Sequence, residues 1–330
     1  MSRFASHQKT LVIALLLAVL TAVCWWMQPQ FLGEMNIGLV LKYAGLFGII
    51  TLGVSFVIAT GGIDLSIGSW IGCTAVLTPV LVKEYGMGAA GAIAVVLGLS
   101  VLAGLVHGLL VTKLRLQPFL VTLCGLFIYR GLARVAGGDR QQLLPESLLW
   151  VKKSLIEGRI VASLPVPAVF VLLVFLCVCG AVFINKTVWG RHLLATGRNE
   201  QAARFSGVNT AAVRILAFVI CSVLAGLSGL LWLAEVGFAQ GSSTGSFYEL
   251  WAIAGAVLGA CSLRGGECRM AGVLLGILMV AVIKQGVLLG VDDRWKEVVI
   301  GLFVLGGVIL DEVMSRWLAR AATGSRRAVT

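Results

Sequence analysis

Charged residues are scarce in this sequence of 330 residues. Asp, Glu, Lys and Arg make up 12% of the chain, whereas hydrophobic residues make up 59%. Soluble domains carry roughly 25% charged and about 45–50% apolar residues. With a mean hydropathy of +0.99, these proportions exclude a soluble enzyme, because an aqueous core could not cover so much apolar chain. The composition indicates a protein that crosses a membrane several times.

Motifs that hold nucleotides or metals are also lacking. The sequence has neither a G-x-x-x-x-G-K-[ST] phosphate loop nor an H-E-x-x-H metal motif. Its three histidines, His7, His107 and His192, are too scattered in sequence for a His-based site. The eight cysteines imply no disulfide framework, since the close pair Cys177 and Cys179 lies on different faces of a helix. We therefore expect a non-enzymatic chain without its own cofactor or metal.

What the sequence has instead is a series of nearly uncharged runs of about 17–24 residues, the length at which an α-helix crosses a hydrocarbon core of about 30 Å. The alternating segments of a β-barrel are absent from the sequence. We predict an all-α, multi-pass helix bundle with about ten transmembrane helices, of which the eighth has the weakest signal. The predicted spans are approximately 10–27, 37–59, 67–82, 88–111, 118–136, 164–184, 212–234, 250–262, 270–290 and 298–317.

The distribution of Lys and Arg predicts the orientation. With the N-terminus inside, fifteen of these residues fall in cytoplasmic segments and seven outside, and basic loops stay on the cytoplasmic side. Both termini are then cytoplasmic. The chain is predicted to be one transmembrane domain over 1–330, with a cytoplasmic loop at 185–211 and a basic cytoplasmic tail at 319–330. The net charge of +11 is spread over several loops, which favours contact with anionic lipid over nucleic acid.

Four basic residues lie within predicted spans. Lys42, Arg134 and Lys284 lie near outer ends, where long side chains can reach the interface. Arg130 lies deepest, and two interpretations stay open for it. It either pairs with a neighbouring carbonyl or carboxylate, or it donates to a solute or gate. No series of buried carboxylates accompanies it, so the usual parts of an ion-coupled carrier are few.

A first polar segment, Thr60–Ser69, separates the second and third spans. Gly61 and Gly62 release the chain from helical geometry, and Asp64 or Ser66 is predicted to cap the third helix. The segment is either an ordinary cytoplasmic turn or a re-entrant break beside a pathway, since irregular backbone at membrane depth requires water or protein around it. The sequence does not decide between the two.

A second polar segment lies in the predicted cytoplasmic loop. Asn199 is a suitable N-cap, Glu200 suits a first helical turn, and Gly207 suits a helix end. The segment therefore predicts a short helix outside the membrane. Its apolar side chains among charged neighbours are typical of a helix that docks in a groove of another protein.

These segments resemble the sugar-type permease subunits of bacterial ABC importers, in the superfamily that includes the branched-chain amino acid permeases. The likeness runs from about Asn36 to Asp311. It rests on four segments in the same order: Gly61–Ser69, Gln117–Leu123 leading to Arg130 and Gly131, Gly197–Val208, and Tyr248–Ala254 followed by Val257–Gly259.

The chain departs from that pattern in one region. Where relatives usually have Gly-Gly-Thr/Ser-Ser-Leu, it has Gly259-Ala260-Cys261-Ser262-Leu263, and Glu267 and Cys268 stand where a small residue and then Gly are common. These changes affect the expected local backbone path and the choice of substrate, and leave the class unchanged.

The resemblance implies partners and a mechanism. It implies a second permease subunit, two cytoplasmic ATP-binding domains that hold ATP and magnesium, and a periplasmic or surface solute-binding protein, in a bacterial inner membrane. Transport would proceed by alternating access. The residues implied to couple to the ATPase are Gly197, Arg198, Asn199, Glu200, Ala202, Ala203, Arg204, Phe205 and Gly207.

A hydroxylated solute, most simply a monosaccharide, needs hydrogen-bonding groups and an aromatic face along its pathway. The alternative is an ion-coupled secondary transporter in which Asp64 and Arg130 act as relay and counter-ion. The pathway candidates are Thr60, Gly61, Gly62, Asp64, Ser66, Ser69, Phe119, Thr122, Arg130 and Glu249.

Overall fold

The computed structural model describes residues 3–159 and 165–290 and the single residues 295, 298, 301, 302, 305, 306 and 309. Helices dominate this part of the chain. The α-helices are α1 (Arg3–Met27), α2 (Glu34–Ala59), α3 (Ile67–Lys83), α4 (Ala89–Lys113), α5 (Pro118–Gly137), α6 (Leu149–Val151), α7 (Ala168–Lys186), α8 (Val188–Arg198), α9 (Glu200–Phe205), α10 (Thr210–Val236), α11 (Tyr248–Leu258) and α12 (Met270–Gly290).

Short irregular elements connect them. Two-residue strands β1 (Gln142–Leu143) and β2 (Phe238–Ala239) pair antiparallel and join the segment after α5 to the end of α10. Three further turns of helix are the 3-10 segments Pro29–Leu32 and Glu146–Leu148 and the π-helical Lys152–Ile156.

Helix α2 is the centre of the bundle. Every residue from Gly48 to Ala59 is buried, and α2 packs against α7, α10, α11 and α12. A helix that is apolar on all sides is stable only when other helices or lipid surround it. Here protein surrounds its second half, which places the turn after Ala59 inside the molecule as well.

Glycines allow the helices to approach closely. Gly104 of α4 faces the backbone of α10, where an added Cβ would lie 2.5 Å from Val219 Cα and 2.7 Å from Phe218 O. In membranes the hydrophobic effect gives little drive between helices, so close packing of small residues has to supply the attraction. The α4–α10 contact is therefore fixed by backbone shape.

The span prediction is confirmed in part. Seven described helices are long and apolar enough to cross a membrane, and they correspond to the first, second, fourth, fifth, sixth, seventh and ninth predicted spans. The third and eighth fall on the shorter apolar helices Ile67–Lys83 and Tyr248–Leu258. The eighth prediction of 250–262 extended too far, because Gly259 ends α11 and a buried loop follows. The tenth span, 298–317, and the 319–330 tail lie outside the described residues.

We predict that Gly104→Val destabilises the fold by about 1–3 kcal/mol, the usual cost of overpacking. The neighbouring atoms are backbone atoms of α10 and cannot move aside as a side chain would. Thermal unfolding in detergent measures the effect. Gly98→Val on the same helix is the matched control, because nothing lies within 4 Å of its added Cβ, and equal midpoints for the two variants would contradict the packing described here.

Candidate functional site

The segment between α2 and α3 is a buried turn. Asp64 is fully buried, Thr60 and Ser66 are nearly so, and Gly61 has a φ of +80°. The predicted cap is wrong in its detail, since Ser66 occupies the N-cap of α3 without a side-chain bond to the helix. Asp64 Oδ1 instead accepts from the Ser66 backbone N–H at 2.9 Å and from its hydroxyl at 2.6 Å. The carboxylate thus closes the turn on itself.

The turn is held by α5. The Thr122 hydroxyl lies 3.2 Å from the carbonyl oxygen of Ile63, to which it donates, and it is also 2.9 Å from Pro118 O in its own helix. Asp64 Oδ2 has no hydrogen-bond partner in the structure. Irregular backbone and an incompletely paired carboxylate are therefore enclosed by protein at this point.

A polar network that the sequence did not reveal lies beside the turn. The indole N–H of Trp70 donates to Ser100 Oγ at 3.0 Å, and the Tyr129 hydroxyl lies 3.2 Å from His107 Nε2. The rings of Trp70 and Tyr129 meet edge to face with centroids 4.6 Å apart. His107 also interacts electrostatically with Asp64. These residues come from three helices, so only the tertiary fold brings them together.

Arg130 fixes the loop that precedes α11. Its Nη1 donates to Thr244 O at 2.6 Å and to Gly241 O at 3.2 Å. The interpretation of Arg130 as a residue paired with carbonyls is therefore confirmed. Glu249, at the start of α11, interacts electrostatically with Arg130 and is buried with Oε2 unpartnered.

The same loop packs on the first turns of α3. An added Cβ on Gly72 would collide with Thr244 O, and Gly245, with a φ of +74°, lies against Gly68 O. The loop also has a Gly-x-Ser-x-Gly spacing at Gly241, Ser243 and Gly245, which is the spacing of a hydrolase nucleophile turn. In this fold the glycines serve backbone contact, with Gly241 against α5 and Gly245 against α3.

The pathway candidates therefore fall into groups. Asp64, Ser66 and Thr122 meet around the buried turn, and Ser69 is buried one turn into α3. Arg130 and Glu249 both lie at the loop before α11, close enough to interact electrostatically. Phe119 lies apart from both groups, because its side chain is half exposed on the outer face of α5.

Charged groups in the predicted outer half of the bundle have internal partners. Lys42 forms an ion pair with Glu235 of α10 at 2.6 Å, and both side chains are mostly buried. The Lys284 ammonium lies 4.0 Å from the ring centroid of Phe47 and 4.6 Å from that of Tyr43. Aromatic and acidic neighbours therefore give both lysines partners inside the bundle. That Lys42 and Lys284 extend to the interface stays a prediction.

Arg134 is the exposed counterpart of these groups. It forms a two-pronged pair with Asp139 at the end of α5, with Nη2 to Oδ2 at 2.7 Å. The hydrogen bonds from Arg134 lower the pKa of the Asp139 carboxyl. This pair closes the turn after α5 and lies outside the buried groups.

The predicted short helix is confirmed. Asn199 Oδ1 accepts from Ala202 N at 3.0 Å, α9 covers Glu200–Phe205, and Gly207 has a φ of +83°. Glu200 pairs with Arg214 of α10 at 2.8 Å, which ties α9 to a long helix. Phe205 is 91% exposed. An aromatic ring held in solvent on a short capped helix is a feature that a protein partner would cover.

The end of α8, which leads into α9, contacts the turn after α2 through glycines, and we call this contact the glycine joint. Gly266 N donates to Ala59 O at 2.9 Å. A Cβ added to Gly265 would lie 2.7 Å from Gly61 N, and a Cβ added to Gly197 would collide with Ala59. The buried turn, the loop after α11 and the segment leading into α9 therefore touch backbone to backbone.

The loop after α11 contains a disulfide, although the sequence implied no disulfide framework. Cys261 and Cys268 form a disulfide, with Cα atoms 4.3 Å apart. The available signal was that both residues depart from the pattern of similar permeases. Glu267, another departure from that pattern, lies 3.7 Å from the Lys9 ammonium of α1.

The described residues contain no group of three or more His, Cys, Asp or Glu side chains that could hold a metal ion. Long apolar helices around a central helix, with irregular backbone buried among them, are the architecture of a multi-pass membrane protein. Residues 36–307 match the family described as "Branched-chain amino acid transport system / permease component". The chain belongs to this family of permeases.

Proteins similar to this chain include import permeases. The chain is 33% identical to the ribose import permease protein RbsC of Bacillus subtilis, over 91% of both chains. It is 33% identical to RbsC of Escherichia coli K12, over 92% of this chain and 93% of the other. It is 34% identical to the autoinducer 2 import system permease protein LsrC of Enterobacter sp., over 94% of this chain and 87% of the other. No solved structure matches the chain.

We predict that Arg130→Gln releases the loop at residues 240–247. The shorter side chain leaves the carbonyls of Gly241 and Thr244 without their charged donor, a loss of about 1.5–3 kcal/mol. Hydrogen exchange should become faster in this loop. Arg134→Gln is the control, since it removes an exposed guanidinium from the same helix, and its loop exchange should equal that of the wild type. Equal exchange in all three proteins would show that Arg130 does not hold the loop.

Proposed function

We propose that this chain is the transmembrane permease subunit of an ABC importer in the bacterial inner membrane. Two permease subunits, this chain with itself or with a paralogue, would enclose the pathway, and two cytoplasmic ATP-binding domains would supply the energy by binding ATP and magnesium. A solute-binding protein would deliver the solute from outside. The carrying observation is α9, a capped helix that presents Phe205 to solvent and directly follows the end of α8, where Gly197 contacts Ala59 in the glycine joint.

The proposed route of energy runs through backbone contacts. A partner that moves α9 also moves Gly197, which abuts Ala59 at the end of α2. Beyond that joint lie Asp64, in the turn before α3, and Arg130, on α5. Closure of the ATP-binding domains would thus reach the pathway candidates without a long flexible linker. Alternating access is the resulting mechanism.

The proposed solute is a monosaccharide or a similar small polyhydroxy compound. The ribose and autoinducer 2 permeases named above support this class. Within the chain, the supporting groups are hydroxyls, amides and aromatic rings in the bundle, including the Gln285 amide, which donates to Asn36 Oδ1 at 3.0 Å. Such groups match the alternating donors, acceptors and C–H faces of a sugar.

We predict that Phe205→Glu lowers ATP-driven uptake by about tenfold or more while the permease still folds. Loss of an exposed aromatic anchor weakens docking by about tenfold or more, and the substitution disturbs no buried contact. The measurement is uptake of labelled monosaccharides into proteoliposomes with candidate ATP-binding and solute-binding partners. Leu114→Glu, an equally apolar-to-acidic change on the exposed turn after α4, is the control and should retain uptake.

Gly207→Arg is a weaker test of docking. The positive φ at Gly207 strains any side chain there, so loss of uptake could reflect local unfolding. Uptake that requires neither partner and is indifferent to Phe205→Glu would overturn the importer proposal.

An ion-coupled carrier is the second candidate, and the unpaired Oδ2 of buried Asp64 favours it. Asp64→Asn removes the titratable oxygen and keeps the acceptor for Ser66. Ion-gradient-driven uptake by the chain alone that disappears in Asp64→Asn would establish the carrier. An importer should show no gradient-driven uptake in either protein.

A further inference from the structure

A long groove lies between α4 and α5 on the outside of the bundle. It encloses about 450 Å³, and α3 forms its base. The two helices make few contacts with each other. Helix α4 packs on α10 and α5 packs on α3, and the space left between α4 and α5 is the groove. Its walls are leucine, valine and isoleucine side chains, with Cys124 exposed on one edge.

The groove has the length of one lipid leaflet. Its lining extends along α4 from Leu99 to Leu110 and along α5 from Leu120 to Leu132, which at 1.5 Å per residue is about 16–18 Å. Half of a hydrocarbon core is about 15 Å. The groove therefore fits an extended acyl chain better than it fits a compact solute.

One end of the groove lies at the turn between α4 and α5, where Leu116 is the last lining residue. Lys113 and Arg115 precede Leu116 in this turn and are exposed. This is the same end of the molecule as α9, because Gly62 meets Pro118 of α5 while Gly61 meets the loop beside Gly197. In the predicted orientation it is the cytoplasmic surface, where anionic lipids attract basic residues.

The base of the groove is rigid, and Trp70 of α3 shares it with side chains of α4 and α5. Tyr129 and His107 line it, joined at 3.2 Å, and Gly125 leaves no space for a side chain above the His107 ring. These contacts fix the depth of the groove, so it does not depend on side chains that could fold in to fill it.

We propose that this groove binds one acyl chain of an anionic phospholipid from the cytoplasmic leaflet, with the lipid phosphate between Lys113 and Arg115. Apolar walls of one-leaflet length and two cations at the mouth match the two parts of such a lipid. A helix from a second copy of the chain would match the walls but would have no use for the cations. The proposal does not depend on which solute is transported.

The test measures phospholipid retained by the purified chain. The protein is incubated in detergent with equal amounts of phosphatidylglycerol and phosphatidylcholine, and bound lipid is counted by native mass spectrometry. We expect about one phosphatidylglycerol per chain in the wild type. The double variant Lys113→Gln/Arg115→Gln should lower its retention about 25-fold, since each basic residue near the surface contributes about fivefold.

Two matched controls separate the groove from general surface effects. Lys186→Gln/Arg191→Gln removes two exposed charges at the end of α7 and the start of α8, and it should leave retention unchanged. Cys124→Phe fills the groove and should lower retention, whereas Val135→Phe, on an exposed face of the same helix, should not.

Equal retention in all these proteins, or an equal loss in the α7–α8 control, would overturn the proposal. A fall in the dimer fraction by light scattering for Cys124→Phe, with phosphatidylglycerol retention unchanged, would also overturn it and assign the groove to a second copy. If Cys124→Phe does not fold, the exposed-charge variants decide, because neither residue carries a buried contact.

Discussion

Contact of one backbone with another through glycine is the constraint on which this structure depends. Gly104 brings α4 against α10, and Gly276 brings α12 against the backbone of Gly255 and Gly259 in α11. Any side chain at these positions would displace backbone atoms, which have nowhere to go. The order of the helices around α2 is thus set by where small residues stand, since apolar side chains alone would pack equally well on lipid.

The same constraint places the polar groups. Where glycine brings two backbones together, irregular segments such as the turn after α2 can lie inside the bundle, and their carbonyls and N–H groups meet partners from other elements. Arg130 satisfies two carbonyls of one loop, and Asp64 satisfies its own turn. Burying these charges would be costly without such partners. The close packing of the helices and the burial of polar groups therefore depend on each other.

The sequence predicted the features that depend on local composition. Apolar run length located the long helices, and Asn199, Glu200 and Gly207 located α9 and its cap, because capping and helix breaking are decided within a few residues. It could not predict which residues meet across elements. The Lys42–Glu235 pair joins residues almost two hundred positions apart, and the Trp70, Ser100, Tyr129 and His107 network joins three helices.

Errors at the sequence level have the same origin. Asp64 or Ser66 was predicted to cap α3, but the Ser66 side chain makes no bond to the helix, and Asp64 Oδ1 accepts from the N–H and hydroxyl of Ser66 itself. No pairing of Cys261 and Cys268 was predicted, because only the path of the loop after α11 brings the two residues together. Both errors arise where the backbone leaves the helix, which is where local patterns carry least information.

The glycine joint gives the two ends of the proposed transport route a common structure. Ala59, Gly61, Gly197 and Gly266 touch without intervening side chains, so a displacement of α9 cannot be absorbed by rotamer changes at the joint. Interiors packed in this way respond as rigid bodies. The exposed end of the proposed route is Phe205, and its buried end is Asp64. A partner on α9 would therefore act, through the end of α8 and the glycine joint, on the turn that holds Asp64.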